Sequence, residues 1–185
     1  LKWKPKGTEW GDYYSDTNYS DLSMDSKRSI LDSFLVELKP NSLWDVGGNN
    51  GEFTRLASDK GIESVLFDID YAAIEKSYLK SKYESEKYIT SFVMDFINPS
   101  PAIGWNCEER DSFVERAEVD LTLALGLVHH LAISNNLSLR YIFKFFFKIT
   151  NYLIIEFIPK SDSQVKKLLL SRRDIFDDYT KDGFE

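Results

Sequence analysis

The chain alternates short apolar segments with longer segments of helical periodicity, and this alternation constrains the fold more than any other feature. Strands that alternate with helices at ~20 to 30 residue spacing build βαβ units and a parallel sheet. The fourth and fifth apolar segments are almost continuously apolar, which is typical of strands buried on both faces. The sequence therefore predicts an α/β fold, a Rossmann-like open parallel sheet with helices on both faces. The predicted strands are 42–46, 64–68, 89–96, 119–125 and 152–158.

Right-handed crossovers limit the order in which these strands line up. The expected order is 3-2-1-4-5, with a ligand crevice at the carboxyl ends of the strands, where the direction of building reverses. Residues 171–185 contain no strand-like segment, so we expect no partner for the outer edge of the fifth strand within them.

Helices are predicted between the strands. The first begins near Asp25 or Ser26, both good N-cap residues, and ends at Pro40. One helix between the fourth and fifth strands is capped by Ser134 or Asn135 and continues to residue 149. The remaining predicted helices are 52–60, 71–85, 108–117 and 162–170.

The chain length of 185 residues fits one domain. Residues 1–24 are rich in Trp and Tyr without helical or strand periodicity, which predicts an aromatic N-terminal arm or lid. Residues 25–185 are expected to form the sheet domain.

Charge and composition exclude several classes. Lys and Arg number 23 against 30 Asp and Glu, a formal net charge of −7, which disfavours nucleic acid as a partner. The single cysteine, Cys107, excludes an internal disulfide and a cysteine-based zinc site. No apolar run approaches the ~18 residues of a membrane span, and residues 1–24 lack the apolar region of a signal peptide. We therefore expect a soluble, cytoplasmic protein with no membrane partner and no metal.

A glycine-rich loop follows the first predicted strand. Residues 47–51 read Gly-Gly-Asn-Asn-Gly, and Asp45 precedes them. Such a loop is either a tight turn only or a place where the backbone approaches a ligand and the next helix offers its amide groups. The order of the glycines is not that of a dinucleotide-binding loop. The negative charge of Asp45 favours a ligand with a cationic group, such as the ammonium of an amino acid.

Acidic residues follow the second and third predicted strands. Asp68 stands 17 residues after Gly51, near the ~20-residue spacing of a ribose-binding acid, and Ile69 follows it. Asp70 is the alternative ribose ligand, although capping of the following helix is the better interpretation of it. Asp95 can accept a hydrogen bond from an adenine amine, and Phe96 can pack near the ring.

These spaced motifs, together with residues 120–131, resemble the class I S-adenosylmethionine-dependent methyltransferases over residues 25–160. Residues 10–14, 18–20 and 156–160 are similar to the nodulation-protein-like branch of the bacterial members.

The resemblance implies roles by position. Asp45 and Gly47 would hold the methionine ammonium, while Gly48, Asn49 and Gly51 would shape the loop. Asp68 would bind the ribose of S-adenosylmethionine, and Asp95 with Phe96 the adenine. Lys27 would meet the methionine carboxylate, unless it is a solvated lysine, and Gly126 would let the backbone pass beside the methionine moiety.

The resemblance also implies a hairpin of two further strands that closes the sheet. The sequence stops at Glu185 before such a hairpin, so we expect the domain to be truncated at its C-terminus.

A general base is needed only if the acceptor must lose a proton. His129 and His130, the two histidines of the chain, follow the fourth strand, and His130 is slightly favoured. Glu156, after the fifth strand, is another catalytic candidate. Packing, loop-holding or capping roles are the alternatives for all three side chains.

Three function classes follow. The first is a methyltransferase acting on a small-molecule or glycan-type acceptor. The second is a module that binds the cofactor or a partner protein without catalysis. The third is a nicotinamide-dependent oxidoreductase, which the absence of its glycine pattern disfavours.

Overall fold

The computed structural model describes Thr8 and residues 20–185. Five parallel strands form one sheet in the order β3-β2-β1-β4-β5, which confirms the predicted fold class and strand order. Apart from Thr8 and residues 20–24, the predicted aromatic arm lies outside the described residues. The strands are β1 Ser42–Val46, β2 Glu63–Asp68, β3 Ile89–Val93, β4 Val119–Ala124 and β5 Thr150–Ile155.

The helices cover both faces of the sheet. Alternate side chains of β1 point to opposite faces. Leu43 packs with helices α1 (Asp21–Leu38) and α2 (Thr54–Ser58), while Val46 packs with helix α4 (Leu139–Ile149). The central strands are mostly buried, and the fourth strand is buried as its apolar character predicts. The third and fifth strands lie at the edges of the sheet and are partly exposed, so the expected burial of the fifth strand on both faces is wrong. The helices are α1 Asp21–Leu38, α2 Thr54–Ser58, α3 Tyr71–Glu84, α4 Leu139–Ile149, α5 Ser163–Leu170 and α6 Lys181–Phe184.

Helix α1 begins four residues before the predicted start at Asp25. Its N-cap is Ser20, whose hydroxyl accepts a hydrogen bond from the backbone N–H of Ser23 at 3.2 Å. The prediction was wrong because several polar residues in this stretch can cap a helix, and the tertiary structure selects one of them.

The segment before α4 also differs from the prediction. A π-helical turn, His130–Ser134, is followed by Asn136 in the left-handed conformation at φ 56°, which interrupts a helix there. Helix α4 then starts after Ser138, which accepts the Tyr141 N–H at 3.4 Å. The expected cap at Ser134 or Asn135 is therefore wrong.

The helix predicted over 108–117 is not formed. Arg110 instead pairs with Ile103 in an isolated antiparallel bridge that encloses a 3₁₀ turn, Trp105–Cys107, and residues 113–116 form a turn. Strand β3 ends at Val93 rather than at residue 96, so that Asp95 and Phe96 lie in the loop that follows it.

At the C-terminus, α6 packs Phe184 against Phe157, with ring centroids 5.0 Å apart. Among the described residues β5 pairs with β4 alone, and no strand forms in residues 171–185, as the sequence predicts. The expected C-terminal truncation stays a prediction. No helix within residues 20–185 has the length and apolar character needed to cross a bilayer.

Candidate cofactor and acceptor site

A cavity of about 330 Å³ lies at the carboxyl edge of the sheet. Its size falls in the range of small-molecule sites, ~300 to 1,000 Å³. The loops after all five strands contribute to its wall, and so do the first turns of α1 and α5. Most of the predicted site residues line it: Lys27, Asp45, Gly47, Gly48, Asn49, Asp68, Ile69, Asp95, Phe96, Gly126, His129 and His130.

The glycine-rich loop turns back sharply after β1. Gly47 has φ 75° and Gly51 has φ 83°, conformations in which a side chain is strained. Asn49 adopts φ 53°, which asparagine tolerates better than most residues. The N–H of Gly47 donates to the Phe67 carbonyl at 2.8 Å, and so the loop is held to β2.

Gly48 is required for a different reason, since its backbone is not left-handed. A Cβ at this position would lie 2.5 Å from Asp45 Oδ2 and 2.5 Å from Leu66 Cδ1. The loop therefore lies directly against the Asp45 carboxylate, and a side chain at residue 48 would displace it.

Arg55 holds the glycine-rich loop through the loop's carbonyl groups, a role that the sequence does not indicate. Its buried guanidinium donates to the carbonyls of Asn50 at 2.6 Å and Gly51 at 3.1 Å, and forms an ion pair with Glu86 at 2.8 Å. The partners of Arg55 belong to the loop and to the end of α3, so no local pattern in the sequence reveals the contact. Gly51 belongs to this braced part of the loop and is not among the lining residues.

Asp45 is the penultimate residue of β1, and its side chain lies inside the protein, at 1% exposure. It accepts a hydrogen bond from the Thr54 hydroxyl at 2.6 Å. Burial raises the pKa of the Asp45 carboxyl to about 6, although the Thr54 hydrogen bond and the Lys27 charge act in the other direction. A buried carboxylate at this edge is a suitable partner for a ligand ammonium group. The ion pair would offset the free-energy cost of burying the Asp45 carboxylate.

Asp68 organises the backbone around the cavity. One oxygen, Oδ2, accepts the Asn49 N–H at 2.8 Å, and Oδ1 accepts the Asp70 N–H at 2.8 Å. Burial raises the pKa of Asp68. Each carboxylate oxygen accepts more than one hydrogen bond, so the carboxylate retains capacity for ligand hydroxyls.

Asp70 caps α3, as the sequence predicts. It accepts the N–H groups of Ala72 at 2.8 Å and Ala73 at 3.1 Å, together with the Thr8 hydroxyl at 2.7 Å. The alternative interpretation of Asp70 as the ribose ligand is disfavoured because these donors already surround its Oδ1.

The loop after β3 brings Asp95 and Phe96 to the cavity. Asp95 accepts the Ile97 N–H at 2.8 Å, which fixes the turn. Phe96 packs edge to face against Phe67, with ring centroids 5.4 Å apart, so its ring belongs to an aromatic cluster as well as to the cavity wall. Ile69 is 60% exposed at the rim.

The two histidines lie after β4 with ring centroids 4.1 Å apart. His129 is buried, and its Nδ1 has no hydrogen-bond partner among the described residues. Burial, and then the neighbouring His130, lowers the pKa of His129 to about 3. Burial also lowers the pKa of His130. Both imidazoles are therefore neutral near neutral pH.

Lys27 and Glu156, which sequence reasoning treated separately, form an ion pair with Nζ and Oε2 2.7 Å apart. Lys27 lines the cavity, whereas Glu156 is not among the residues that line it. Gly126 has φ 60°, and a Cβ there would be 3.9 Å from Glu156 Oε2. The structure thus places the predicted cofactor lysine and one of the catalytic candidates in direct contact.

Sequence reasoning missed a group of polar residues on the side of the cavity formed by the loops after β4 and β5. Ser134, Asn135, Asp162 and Gln164 line this side. Asp162 also caps α5 through the Gln164 N–H at 2.8 Å. Only the Asp162 cap has a recognisable sequence signal, because the other residues reach the cavity through the irregular path of the chain.

No protein-family model matches the chain. A curated relative, nodulation protein NoeA of Rhizobium meliloti (strain 1021), is 33% identical over 180 residues, which cover 97% of this chain and 38% of the relative. The chain thus spans well under half the length of that protein. This similarity confirms the predicted resemblance to a nodulation protein.

Solved structures of methyltransferases share the fold. The bifunctional kinase-methyltransferase WbdD superposes with a TM-score of 0.61 at 14% identity, over 88% of this chain and 34% of that one. The methyltransferase domain of bacterial CtHen1 superposes with a TM-score of 0.54 at 17% identity, over 74% of this chain and 67% of that one. The chain therefore shares the fold of these methyltransferase structures, which agrees with the predicted Rossmann-like sheet.

Proposed function

We propose that the chain is an S-adenosylmethionine-dependent methyltransferase. The observation that carries this proposal is one shared cavity, at which the ends of β1 and β2 and the loop after β3 bring together Asp45, Asp68 and Asp95 beside a glycine-rich turn. These are the groups that recognise an ammonium, a ribose and an adenine amine. The fold of the chain, shared with known methyltransferases, supports the same conclusion.

The residues present fit this cofactor. The buried Asp45 carboxylate suits the ammonium, Asp68 the ribose hydroxyls and Asp95 the adenine amine, with Phe96 and Ile69 as apolar wall. Lys27 is the one lysine or arginine among the described lining residues, so it suits the methionine carboxylate. Gly48 lets the loop lie directly against the Asp45 carboxylate, where a Cβ would overlap it. These assignments are part of the proposal.

When bound, S-adenosylmethionine supplies a methyl group on a sulfonium, so that an acceptor nucleophile displaces a neutral thioether. The chain itself then positions the acceptor against the methyl group and excludes water. A base is needed only for an acceptor that must lose a proton.

His130 is the better of the two histidines for the role of base. The unpartnered, buried Nδ1 of His129 favours the tautomer with the proton on Nε2, because a buried N–H without a partner is costly. With a pKa of about 3, His129 is also too weak a base to take a proton readily. His129 is better suited to donate a hydrogen bond to the acceptor.

The acceptor in this proposal is a small molecule or glycan. The net charge of −7 and the carboxylates along the cavity disfavour a nucleic acid or another strongly anionic substrate. The hydroxyl and amide side chains of Ser134, Asn135 and Gln164 support a hydroxyl-bearing acceptor, since they both donate and accept hydrogen bonds.

Binding without catalysis is the second candidate function. Its support is that Glu156 is paired with Lys27 and that both histidines have lowered pKa values, which weakens all three predicted base candidates as bases. Methyl acceptors that need no deprotonation would not require one.

Two measurements test these functions. Calorimetric titration with S-adenosylmethionine and with NAD separates the methyltransferase from a nicotinamide-dependent enzyme, and we expect binding of the former only. An assay that follows labelled methyl groups into cell extracts separates catalysis from binding alone. Saturable cofactor binding without any labelled product would favour the non-catalytic module.

The base assignment has its own test. Changing His130 to Ala is expected to lower turnover by ~10² to 10⁴ with little change in cofactor affinity, provided that the acceptor atom carries a proton. Equal activity in His129→Ala and His130→Ala would show that positioning alone suffices or that Glu156 is the base.

A further inference from the structure

The Lys27–Glu156 ion pair joins two parts of the chain that are 129 residues apart. Lys27 is in α1, and Glu156 follows β5 directly. Both side chains are mostly buried, at 17% and 24% exposure, and the ammonium also lies 5.0 Å from the centre of the Phe53 ring. A partly buried pair of this kind is screened less by solvent than a surface pair.

The proposed function gives the same ammonium a second partner, the methionine carboxylate of the cofactor. We infer that Glu156 competes with this carboxylate for Lys27, so that cofactor binding transfers Lys27 from Glu156 to the cofactor and makes Glu156 available to the acceptor. This inference rests on the proposed function and adds an order of events to it.

The charges around the pair favour competition between Glu156 and the cofactor carboxylate for Lys27 over simultaneous binding of both. A lysine ammonium has three donors and can in principle hold two carboxylates. The described lining residues, however, already include Asp45, Asp68, Asp95 and Asp162, with Lys27 as their one lysine or arginine. A further carboxylate beside Glu156 adds like-charge repulsion that a single ammonium offsets only in part.

The position of Glu156 gives the transfer a consequence for the acceptor. Its Oε2 lies near Gly126, beside the proposed path of the methionine moiety. While Lys27 holds it, Glu156 is a poorer hydrogen-bond acceptor for an incoming hydroxyl, because its charge is already compensated. Once Lys27 turns to the cofactor, Glu156 becomes a better orienting group. The cofactor is therefore expected to bind before the acceptor.

Two ligands that differ in the amino-acid moiety test the competition. S-adenosylhomocysteine carries the carboxylate but no sulfonium charge, and 5′-methylthioadenosine lacks the whole amino-acid moiety. Isothermal titration of the parent protein and of Glu156→Gln with both ligands measures the effect. We expect Glu156→Gln to bind S-adenosylhomocysteine about threefold to tenfold more tightly, with 5′-methylthioadenosine unchanged.

The Lys27→Met variant completes the cycle. It is expected to bind S-adenosylhomocysteine about tenfold more weakly, and the effect of Glu156→Gln in that background should differ from its effect in the parent, because the two residues are coupled. Asp32→Asn is the matched control, because it breaks the Lys60–Asp32 ion pair of the same helix, 2.6 Å long and outside the cavity wall. It should change neither affinity. Thermal unfolding checks that each variant is folded.

The outcomes are distinct. If the parent binds neither ligand nor S-adenosylmethionine, the proposed function and this inference both fail. A second set of outcomes is that the parent binds them while Glu156→Gln leaves the affinity for S-adenosylhomocysteine unchanged, lowers it, or changes the affinities for both ligands equally. In each of these cases the inference fails and the proposed function stands. This comparison needs only the Glu156 variant, so it decides the question even if Lys27→Met does not fold.

Discussion

The two sides of the cavity are built in different ways. On the cofactor side, at the ends of β1, β2 and β3, backbone hydrogen bonds between neighbouring strand ends and loops fix the acidic groups, such as those from the Asn49 and Asp70 amides to Asp68. On the acceptor side, after β4 and β5, the chain makes a π-helical turn, leaves His129 Nδ1 without a described partner, and depends on an ion pair between α1 and the end of β5. The cofactor side is preorganised, whereas the acceptor side depends on tertiary contacts.

The largest expected effect tests how closely the cofactor side is packed. Gly48→Ala places a Cβ 2.5 Å from both Asp45 and Leu66, inside their van der Waals radii. We expect it to abolish cofactor binding and to lower the free energy of unfolding by about 3 kcal/mol. Urea unfolding and calorimetry measure the two effects.

The control for Gly48→Ala is Gly61→Ala. Gly61 has φ 77°, and its nearest contact would be Tyr88 at 4.0 Å, so this variant carries backbone strain without overlap. It should cost about 1 kcal/mol and leave cofactor affinity unchanged. If both variants lose the same stability and both bind normally, the packing argument for Gly48 is wrong.

Asp68→Ala is expected to have the next largest effect. The variant removes the acceptor of two backbone amides and the proposed ribose ligand. The cofactor affinity should fall by about 1.5 to 3 kcal/mol or more, beyond detection by calorimetry, while circular dichroism still shows a folded protein.

Asp120→Asn provides the comparison for Asp68. Asp120 lies at the start of β4, at the edge of the sheet opposite the cavity, and accepts hydrogen bonds from Asn41. We expect normal cofactor binding for it. A folded Asp68→Ala variant with the affinity of the parent would refute the ribose assignment.

Asp45 tests how much the buried negative charge on the cofactor side lowers the free energy of unfolding. Its pKa, raised by burial to about 6, means that the folded protein holds this proton more tightly than the unfolded chain, with its ordinary value of 3.8. Through this group, stability is greatest below pH 4 and is lost as the pH rises to about 6. Asp45→Asn should therefore raise the unfolding free energy by roughly 2 kcal/mol at about pH 7.5 and by much less at about pH 4.

The same variant should weaken cofactor binding, because the ammonium loses its anionic partner. Urea unfolding at the two pH values and titration with S-adenosylhomocysteine check both effects. A variant that is equally stabilised at both pH values, or that binds as well as the parent, contradicts this account of Asp45.

The contrast between the two sides also explains which features were predictable from sequence. Strand order and the positions of Asp45, Asp68 and Asp95 at strand ends follow from apolar periodicity and from a glycine-rich turn, which are local signals. The cap at Asp70 is local as well. The cofactor side was therefore largely predictable.

The acceptor side was less predictable because its geometry depends on contacts between distant residues. Nothing near Asn136 indicates that its left-handed conformation will delay α4, and the Lys27–Glu156 pair exists only after the sheet has formed. Arg55 is a similar case on the cofactor side, since Glu86 reaches it only once α3 has packed. Long-range ion pairs of this kind have no sequence period.

His129 carries the smallest predicted effect, and its sign is opposite to that of Asp45. Burial lowers the His129 pKa to about 3, so the folded state resists a proton that the unfolded chain accepts near its ordinary value of 6.5. Its contribution to stability is present above pH 6.5 and is lost as the pH falls. His129→Leu should therefore reduce the loss of unfolding free energy between about pH 6.5 and 5.5 by about 1 kcal/mol.

Stability profiles of the two variants compare the two sides directly. Asp45→Asn removes a group that favours low pH, and so its pH of maximum stability should move up. His129→Leu removes a group that penalises low pH, and so its maximum should move down. Urea unfolding across the acid range measures both maxima. Shifts in the same direction would show that the buried charge of Asp45 and the buried neutral imidazole of His129 do not have the environments described for them, since a carboxylate and an imidazole that are both buried must respond to protons with opposite signs.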